Sequence, residues 1–261
     1  MKRSTYYHVK ARLNRPDQDA ALKQAIHHIA TKHKRRYGYR RMVIALRQEH
    51  GLIVNHKKVL KLMRRINVQA RVRRKKYTSY RGKVGRVADN VLNRNFTTTK
   101  PNQKWVTDLT EFRVNGQKIF LSPLMDLHTK EILSYRIGYS PSVRLVTDML
   151  DQAIGKRDTS HLTIHTDQGF HYQNHDYISR LEDNGITQSM SRKGNCLDNA
   201  VIENFFGILK SEMFHNHSFK TPSQLISALK AYIKYYNEER ISLKLKGMTP
   251  VQYHHHSLCH T

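Results

Sequence analysis

Three carboxylates in the second half of the chain have the residue type and the surroundings of a metal-dependent site. Asp108 lies within an apolar, strand-like segment, Asp167 directly follows another, and Glu203 lies in an apolar helical segment. Carboxylate oxygens are the ligands that Mg²⁺ prefers, and two such ions close together can activate an attacking oxygen and stabilise a leaving one. Taken singly, the three residues have plain structural explanations: a charge at a strand edge, a turn former and a solvated helix residue. They predict a site only if the fold brings them together.

Two polar residues share the helical segment of Glu203. Lys210 lies seven residues after Glu203, which is two helical turns, so both side chains project from one face. Asn199 lies one turn before Glu203 on the same face. A cation at Lys210 is well placed to hold a phosphate group near bound metal ions. Asp126 and Asp198 are the competing carboxylates, and we interpret Asp198 as a helix-start residue favoured by the helix dipole.

The segments around these residues predict a mixed α/β fold. Apolar patterns indicate strands over residues 105–113, 118–126, 131–139, 161–166 and 186–190. Helical periodicity indicates helices over residues 142–155 and 174–184 and a further helix from about residue 197. The turn Asn115-Gly116 favours a hairpin between the first two strands. Three antiparallel strands followed by alternating helices and strands are typical of a mixed α/β layer fold.

The positive charge is concentrated in the first part of the chain. The 261 residues include 46 Lys and Arg against 20 Asp and Glu, a net charge of +26. Residues 1–104 hold 29 of these cations and 4 of the anions, whereas residues 105–261 hold 17 and 16. This asymmetry predicts a basic arm that binds a polyanion, joined to a nearly neutral globular body. A membrane surface is the weaker explanation, because the chain has no apolar run of about 18 residues and no signal-like start. We therefore expect a soluble, cytoplasmic protein.

Residues 1–70 predict a helix-turn-helix region. Apolar periodicity indicates helices over residues 18–34, 40–50 and 56–65. Gly51 suits the end of the second helix, and Asn55 suits the N-cap of the third. The third helix leaves a basic set facing outward, which consists of Lys57, Lys58, Lys61, Arg64 and Arg65. Such a helix can enter a DNA major groove; the alternative is a small helical bundle with a merely solvated basic face.

Residues 71–100 predict a basic linker that leads into a body comprising residues 101–261. Tyr77, Tyr80 and Phe96 are interleaved with Lys and Arg, a composition that can contact phosphates and stack on bases. A flexible linker without nucleic-acid contacts explains the same composition. At the other end, histidines and Cys259 crowd between residues 254 and 260, where we expect a solvated chain end because no second ligand pair has zinc-site spacing.

Six segments between residues 35 and 253 form a recognisable set: RRYGYRRM, VNHKKVLKLM, WVTDLT, HTDQGFHY, SMSRKGNCLDNAVIENFFGILKSE and YYNEERISLKLKGMTPVQY. With them the chain closely resembles the OrfB catalytic proteins of bacterial insertion sequences, the "IS three" family, which is similar to retroviral integrases. The segment SMSRKGNCLDNAVIENFFG is highly specific, whereas the helix-turn-helix part alone is not. The resemblance covers most of the chain.

The resemblance implies a ribonuclease H-like catalytic core, as in integrases, preceded by the basic helix-turn-helix domain. It implies that Asp108, Asp167 and Glu203 form a catalytic triad that holds two Mg²⁺ ions, for which Mn²⁺ substitutes. Water then attacks a phosphodiester at the element's end, and the freed 3′-hydroxyl attacks a second one without a covalent enzyme intermediate. The residues implied to support the metal site or to contact DNA are His165, Asn199, Lys210, Arg192 and Lys193.

The resemblance also implies partners. Element ends and target DNA are the substrates, so the protein is expected at the nucleoid, and holding two ends together calls for a homo-oligomer. In this family the catalytic frame is often joined by ribosomal frameshifting to an upstream frame with an end-binding domain and a leucine zipper. The chain has no heptad run of its own, so an upstream partner or fusion is an expectation.

Other classes share parts of this pattern. A retroviral-type integrase uses the same triad, but Cys196 and Cys259 are too few for its His-His-Cys-Cys zinc module. A nuclease of the ribonuclease H class is a further enzyme, although the helix-turn-helix favours element DNA over RNA–DNA hybrids. A non-catalytic DNA-binding regulator with a decayed transposase body is the alternative outside the enzymes. Metal-dependent cleavage separates it from a transposase.

Overall fold

The chain folds as two compact units, Met1–Arg71 and Val72–Thr261. The computed structural model describes residues 3, 5–7, 17–70, 88–92, 95–155, 157–192, 199–215 and 217–259. The predicted linker aromatics Tyr77 and Tyr80, and also Lys193, Cys196 and Asp198, lie outside the described residues.

Three helices of the first unit pack around one apolar centre: α1 (Ala20–Lys32), α2 (Tyr39–His50) and α3 (His56–Arg65). Their most buried side chains are Ile26, Ile29, Met42, Leu46, Val59, Leu62 and Met63. Gly51 ends α2 in the left-handed region at φ +67°, and the Asn55 side chain accepts the Lys57 N–H at 2.8 Å. Both predicted helix signals are thereby confirmed.

The second unit is built on a six-stranded mixed sheet. Its strands are β1 (Lys104–Thr107), β2 (Thr110–Val114), β3 (Gln117–Asp126), β4 (Ile132–Gly138), β5 (Thr163–Thr166) and β6 (Thr187–Met190). β3 is antiparallel to β1, β2 and β4, whereas β1, β5 and β6 are mutually parallel in that order. The single strand predicted over residues 105–113 is interrupted at residues 108 and 109, so β1 and β2 are separate strands that pair with successive parts of β3.

Helices cover both faces of this sheet. They are α4 (Val143–Ile154), α5 (His175–Asp183), α6 (Ala200–Leu209), a π-helical turn (Lys210–Phe214), α7 (Pro222–Glu238), a 3₁₀ turn (Leu243–Leu245) and α8 (Pro250–Leu258). Successive strand residues point to opposite faces. Trp105 therefore packs with α4 and α5, whereas its neighbour Val106 packs with α6 and α7. The predicted α/β class, a ribonuclease H-like mixed sheet with helices, is confirmed.

The connections follow the sequence signals. Asn115 and Gly116 have φ values of +47° and +77°, the two positive angles of a tight hairpin turn between β2 and β3. Residues at the end of the predicted linker pack against the second unit: Leu92 is buried in its core, and Phe96 packs on the same cluster. Phe96 is thus partly buried by this packing, and its stacking on nucleic acid stays a prediction. Within the described part of the chain, no helix is long and apolar enough to cross a membrane.

Candidate active site

Asp108 and Asp167 lie at equivalent ends of two neighbouring parallel strands. β1 and β5 pair with Trp105 opposite Ile164 and Val106 opposite His165. Continuing that register by two residues places Asp108 opposite Asp167, directly after each strand ends. Ligand sites in α/β sheets form at such carboxyl ends. The break between β1 and β2 falls at Asp108, so its carboxylate lies where the strand has just ended.

Short backbone contacts hold both carboxylates. Oδ1 of Asp108 accepts the Leu109 N–H at 2.7 Å, and Oδ1 of Asp167 accepts the Gly169 N–H at 2.9 Å. Gly169 leaves no room for a side chain, because a Cβ there would lie 2.9 Å from Asp167 Oδ1 and 2.8 Å from His171 Nε2. The glycine of the segment HTDQGFHY is therefore required by the close approach of the Asp167 carboxylate and the His171 ring.

The charges of two predicted catalytic carboxylates act on the third, Asp108. Burial raises the pKa of Asp108 well above its usual value, and the negative charges of Asp167 and then Glu203 raise it further, while Lys210 opposes the shift. Burial also raises the pKa of Asp167 and that of Glu203. Since like charges collected in a partly buried site disfavour ionisation, this cluster is suited to a counter-cation.

Glu203 reaches the site from α6, a helix fixed by its apolar side. Ile202 and Phe205 are buried in the core, which leaves Glu203 half-buried at the edge of the packed face. Lys210 follows directly after α6, and its Nζ lies 5.3 Å from the centroid of the Phe112 ring on β2. Both the carboxylate and the ammonium group thus lie on the Asp108 side of the helix, since both influence the Asp108 carboxyl group.

Asn199 and His165 are both buried, but their surroundings differ. Asn199 precedes α6, is 5% exposed, and neither of its amide atoms has a hydrogen-bond partner among the described residues. A buried amide without a partner is costly, so it is available to a ligand. His165 instead connects two strands through a 2.9 Å contact between its Nδ1 and the Ser189 hydroxyl.

Five of the predicted DNA-binding cations are exposed. Arg192 follows β6 on the surface, and Lys57, Lys61 and Arg64 lie at helical spacing on the exposed side of α3. Lys58 differs, because its Nζ lies 2.7 Å from an Asp19 carboxylate oxygen, which already offsets its charge.

Asp126, the competing carboxylate in the described chain, has a structural role. It is 1% exposed, and its oxygens accept the backbone N–H groups of Asn102, His128 and Thr129 at 2.7–2.8 Å. The carboxylate therefore closes the β3–β4 turn and is not available to the site.

The C-terminal histidines also differ from the prediction of a solvated chain end. His254, His255 and His256 lie on α8, whose Thr249–Gln252 capping box fixes its start, whereas His260 lies outside the described residues. His254 Nδ1 contacts Glu131 Oε2 at 2.8 Å, so this segment is packed against the second unit.

Two aromatic residues of the segment HTDQGFHY were not singled out from the sequence. Tyr172 is fully buried, and burial, followed by the charges of Asp108 and Asp167, raises its pKa well above the usual value. His171 is 7% exposed, and burial lowers its pKa to about 4. The sequence signal that could have identified these two residues is their position directly after the turn at Asp167.

The donor set fits a hard divalent cation. Asp108, Asp167 and Glu203 offer oxygen ligands, the type preferred by Mg²⁺. Among the described residues, however, no three His, Cys, Asp or Glu side chains lie close enough together to form a ready-made metal site. The register of β1 and β5 brings the two aspartates opposite each other, and the charge of Glu203 raises the pKa of Asp108.

Comparisons with known proteins agree with this architecture. The chain matches an HTH-like domain over residues 16–76 and integrase core domains over residues 98–196 and 203–258. It is 51% identical to the InsK transposase protein of insertion sequence element IS150 from Escherichia coli (strain K12), over 96% of this chain and 89% of that protein. It is 46% identical to an uncharacterized transposase-like protein of Haemophilus influenzae, over 78% of this chain and 95% of that protein.

A solved structure shares the fold at low sequence identity. A chain of the simian T-cell lymphotropic virus intasome, in complex with PP2A regulatory subunit B56 gamma, has a TM-score of 0.53 and 19% identity, over 87% of this chain and 74% of that chain. Because about half of its residues are identical to those of one relative over most of both chains, this chain belongs to the IS3 family of insertion-sequence transposases, enzymes of the polynucleotidyl transferase class.

Proposed function

We propose that Asp108, Asp167 and Glu203 are the catalytic carboxylates of this transposase and that they act in the cleavage and joining of DNA strands. The observation that carries the proposal is the register of β1 and β5, which brings Asp108 opposite Asp167, together with the effect of the Glu203 charge on Asp108. Carboxyl groups whose pKa values are raised by burial and by a neighbouring carboxylate are concentrated at functional sites.

The ligand proposed is Mg²⁺, with Mn²⁺ as a substitute, held by the oxygens of the same three residues. When bound, a pair of such ions would activate the attacking oxygen and stabilise the leaving oxygen of a phosphodiester. The protein's own contribution is to aim the ligands: the Leu109 and Gly169 N–H groups each fix one oxygen of an aspartate, leaving its other oxygen for the site. The apolar side of α6 fixes the position of Glu203.

Two neighbouring residues are proposed to hold the DNA. The Lys210 ammonium would bind a phosphate oxygen beside the carboxylates, because its charge is already felt at Asp108. The buried amide of Asn199 would donate to a phosphate or sugar oxygen, which would relieve its unsatisfied hydrogen-bonding capacity. Arg192 and Lys193 are proposed to contact the DNA backbone next to the site.

The first unit is proposed to bind element DNA through α3. Lys57, Lys61 and Arg64 form its exposed cationic stripe, and the Asn55 cap places the start of the helix. Backbone contacts of this kind position a protein on DNA, and base contacts then select the sequence. Lys58 is expected to contribute less because of its pairing with Asp19.

A homo-oligomer is proposed as the active form, acting on chromosomal DNA in the cytoplasm. Strand transfer requires two element ends in one complex, so two active sites must be held together. An upstream-frame partner or fusion would be a second way to assemble that complex, and the strand cleavage and joining test includes the fused form.

The test is strand cleavage and joining on a labelled duplex that bears the element's terminal repeat, with Mg²⁺. Asp108→Asn, Asp167→Asn and Glu203→Gln should each abolish both steps while DNA binding persists. Asp148→Asn and Glu182→Gln are matched controls, because they make the same substitutions at a partly exposed and an exposed helix position and should remain active.

The outcomes separate the alternatives. Full activity in any one of the three triad variants would remove that residue from the catalytic set. Tight DNA binding without chemistry in the wild type would indicate a regulator or a chain that needs its upstream partner. The frameshift-fused form distinguishes these two, since only the second would gain activity on fusion.

A further inference from the structure

The catalytic helix ends in an unusual turn. Directly after α6, residues Lys210–Phe214 form a π-helical turn that the His215 N–H closes by donating to the Lys210 carbonyl at 2.8 Å. π turns are rare in proteins and often occur at functional sites. Because the turn begins at Lys210, its geometry determines the direction in which the Lys210 side chain leaves the helix.

A buried ion pair anchors this turn. Glu212 lies in the turn and accepts two hydrogen bonds of 2.9 Å from Arg240, one from Nε and one from Nη2. Only 8% of the Arg240 side chain and 10% of the Glu212 side chain are exposed. The Tyr232 hydroxyl donates to the same carboxylate at 2.9 Å, and the Tyr236 ring lies 5.6 Å from the guanidinium carbon. The anchoring residues come from α7 and from the chain just after it.

Stability is a poor explanation for this arrangement. Removing a carboxylate and a guanidinium from water costs about as much free energy as their attraction returns, and apolar residues often replace such pairs without loss. A bidentate Arg–carboxylate pair does fix distance and angle, because the two planar groups meet in one orientation. The pair is therefore better explained by the geometry it imposes on residues 210–214.

The π turn packs against β2, the strand that follows Asp108 in the chain. The Phe112 ring of β2 contacts both ends of the turn: Lys210 Nζ lies 5.3 Å from its centroid, and the Phe214 ring centroid lies 5.1 Å from it. Phe112 is four residues after Asp108. A change in the π turn would therefore move Lys210 relative to Phe112 and to the Asp108 carboxylate.

We propose that Arg240 and Glu212 are positioning residues that hold the π turn so that the Lys210 ammonium points into the carboxylate site and binds a DNA phosphate there. This inference rests on the role proposed above for Lys210. Arg240 belongs to the C-terminal segment YYNEERISLKLKGMTPVQY. This segment thus supports the active site through the π turn, without any contact of its own with DNA.

A double-mutant cycle on the full chain tests the proposal. Arg240→Lys keeps the charge and loses the bidentate geometry, and it should lower the joining rate at saturating DNA about 10- to 100-fold, the effect of misplacing a group by about 1 Å. In a Lys210→Ala background the same substitution should change the rate by less than about 2-fold, since residues that act through one another are not additive. Equal losses in both backgrounds would overturn the proposal.

Matched variants separate positioning from general damage. Ile233→Val removes one methylene from the same core cluster without touching the ion pair, and its effect should be the same with or without Lys210. Arg180→Lys makes the same substitution in an exposed ion pair, in which Arg180 Nε donates to both oxygens of Asp151, and should leave joining unchanged. If Arg240→Lys does not fold, the pair Glu212→Gln with Arg240→Gln replaces it in the same cycle.

A second measurement needs neither metal nor chemistry. In EDTA, loss of one phosphate contact should reduce the slope of log binding constant against log salt concentration by about 0.9. Lys210→Ala, Arg240→Lys and the double variant should all show this same single reduction. A further reduction in the double variant would contradict action through Lys210. No effect of Lys210→Ala on either slope or rate would refute the proposed role of Lys210 itself, and the inference with it.

Discussion

The carboxyl group of Asp108 is the most strongly perturbed acid of the site. Burial raises its pKa first, and the charges of Asp167 and Glu203 add to this. The folded protein therefore binds the Asp108 proton more tightly than the unfolded chain does. That contribution to stability is complete below the ordinary pKa of 3.8 and is lost as pH rises through the raised value. At neutral pH, in the absence of metal, the ionised Asp108 carboxylate therefore lowers the free energy of unfolding.

Asp108→Asn should stabilise the metal-free protein. In EDTA at neutral pH its melting temperature should exceed that of the wild type by about 2–4 °C for each kcal/mol of repulsion relieved. The gap should widen as pH rises from about 4, and millimolar Mg²⁺ should raise the wild-type melting temperature more than that of the variant. Thermal unfolding by circular dichroism measures both effects, with Asp148→Asn at a partly exposed helix position as control. A lower melting temperature for Asp108→Asn in EDTA would contradict the cation-site assignment.

His171 gives a pH dependence of opposite sign. Burial lowers its pKa from 6.5 to about 4, so the unfolded chain binds the proton first. Its contribution to stability is present above 6.5 and is lost as pH falls toward about 4. As the pH falls between these two values, urea unfolding should show that the free energy of unfolding decreases faster for the wild type than for His171→Gln. The slopes of the free energy of unfolding against pH should differ by the equivalent of up to one bound proton. Parallel curves for the two proteins would show that the ring titrates normally.

At the scale of elements, two glycines have opposite effects on stability. One lies in the turn at residues 115 and 116, and the other lies in the helix α6. Gly116 occupies the left-handed region at φ +77°, where an L side chain is strained, whereas Gly207 is exposed on α6 with open space around its Cβ position. The first glycine is needed for the hairpin between β2 and β3. The second lowers the intrinsic stability of its helix.

The two Gly→Ala substitutions should therefore differ in sign. Gly116→Ala should lower the free energy of unfolding by about 1–2 kcal/mol. Gly207→Ala should raise it by about 0.5–1 kcal/mol. Both positions lie in the second unit, so urea midpoints of the same transition compare them directly. Destabilisation by Gly207→Ala would mean that the helix uses this position for a contact.

At the scale of the whole molecule, charge is divided between the two units. The three acidic residues of the described part of the first unit, Asp17, Asp19 and Glu49, each contact a lysine, so they already have cationic partners. The stripe Lys57, Lys61 and Arg64 is separate from these contacts and remains directed outward. DNA binding by this unit should therefore depend steeply on salt.

The combined variant Lys57→Ala, Lys61→Ala and Arg64→Ala should flatten that dependence. Each lost phosphate contact should reduce the slope of log binding constant against log salt by about 0.9, and the affinity should fall for all sequences alike. Fluorescence anisotropy on a labelled duplex over a salt series measures the slope. Lys32→Ala, whose charge is paired with Glu49, is the matched control and should change it little. An unchanged slope in the triple variant would assign DNA binding to another surface.

The sequence by itself determined much of the local structure and the chemistry. Helix limits, the Asn55 cap, the left-handed Gly51 and the Asn115-Gly116 turn follow from propensities that act over a few residues, and the structure confirms them. The three carboxylates were selected by residue type, spacing and family resemblance. Their assignment remains a proposal, now supported by the pairing of β1 with β5.

Only the tertiary structure decided the features that depend on distant parts of the chain. The break at Asp108, the register that brings it opposite Asp167, the structural role of Asp126 and the pairing of Lys58 with Asp19 all involve partners that no local pattern specifies. The Arg240–Glu212 pair joins residues 28 apart across two elements. Strand register and buried ion pairs depend on which surfaces meet, and that choice is made by packing of the whole core.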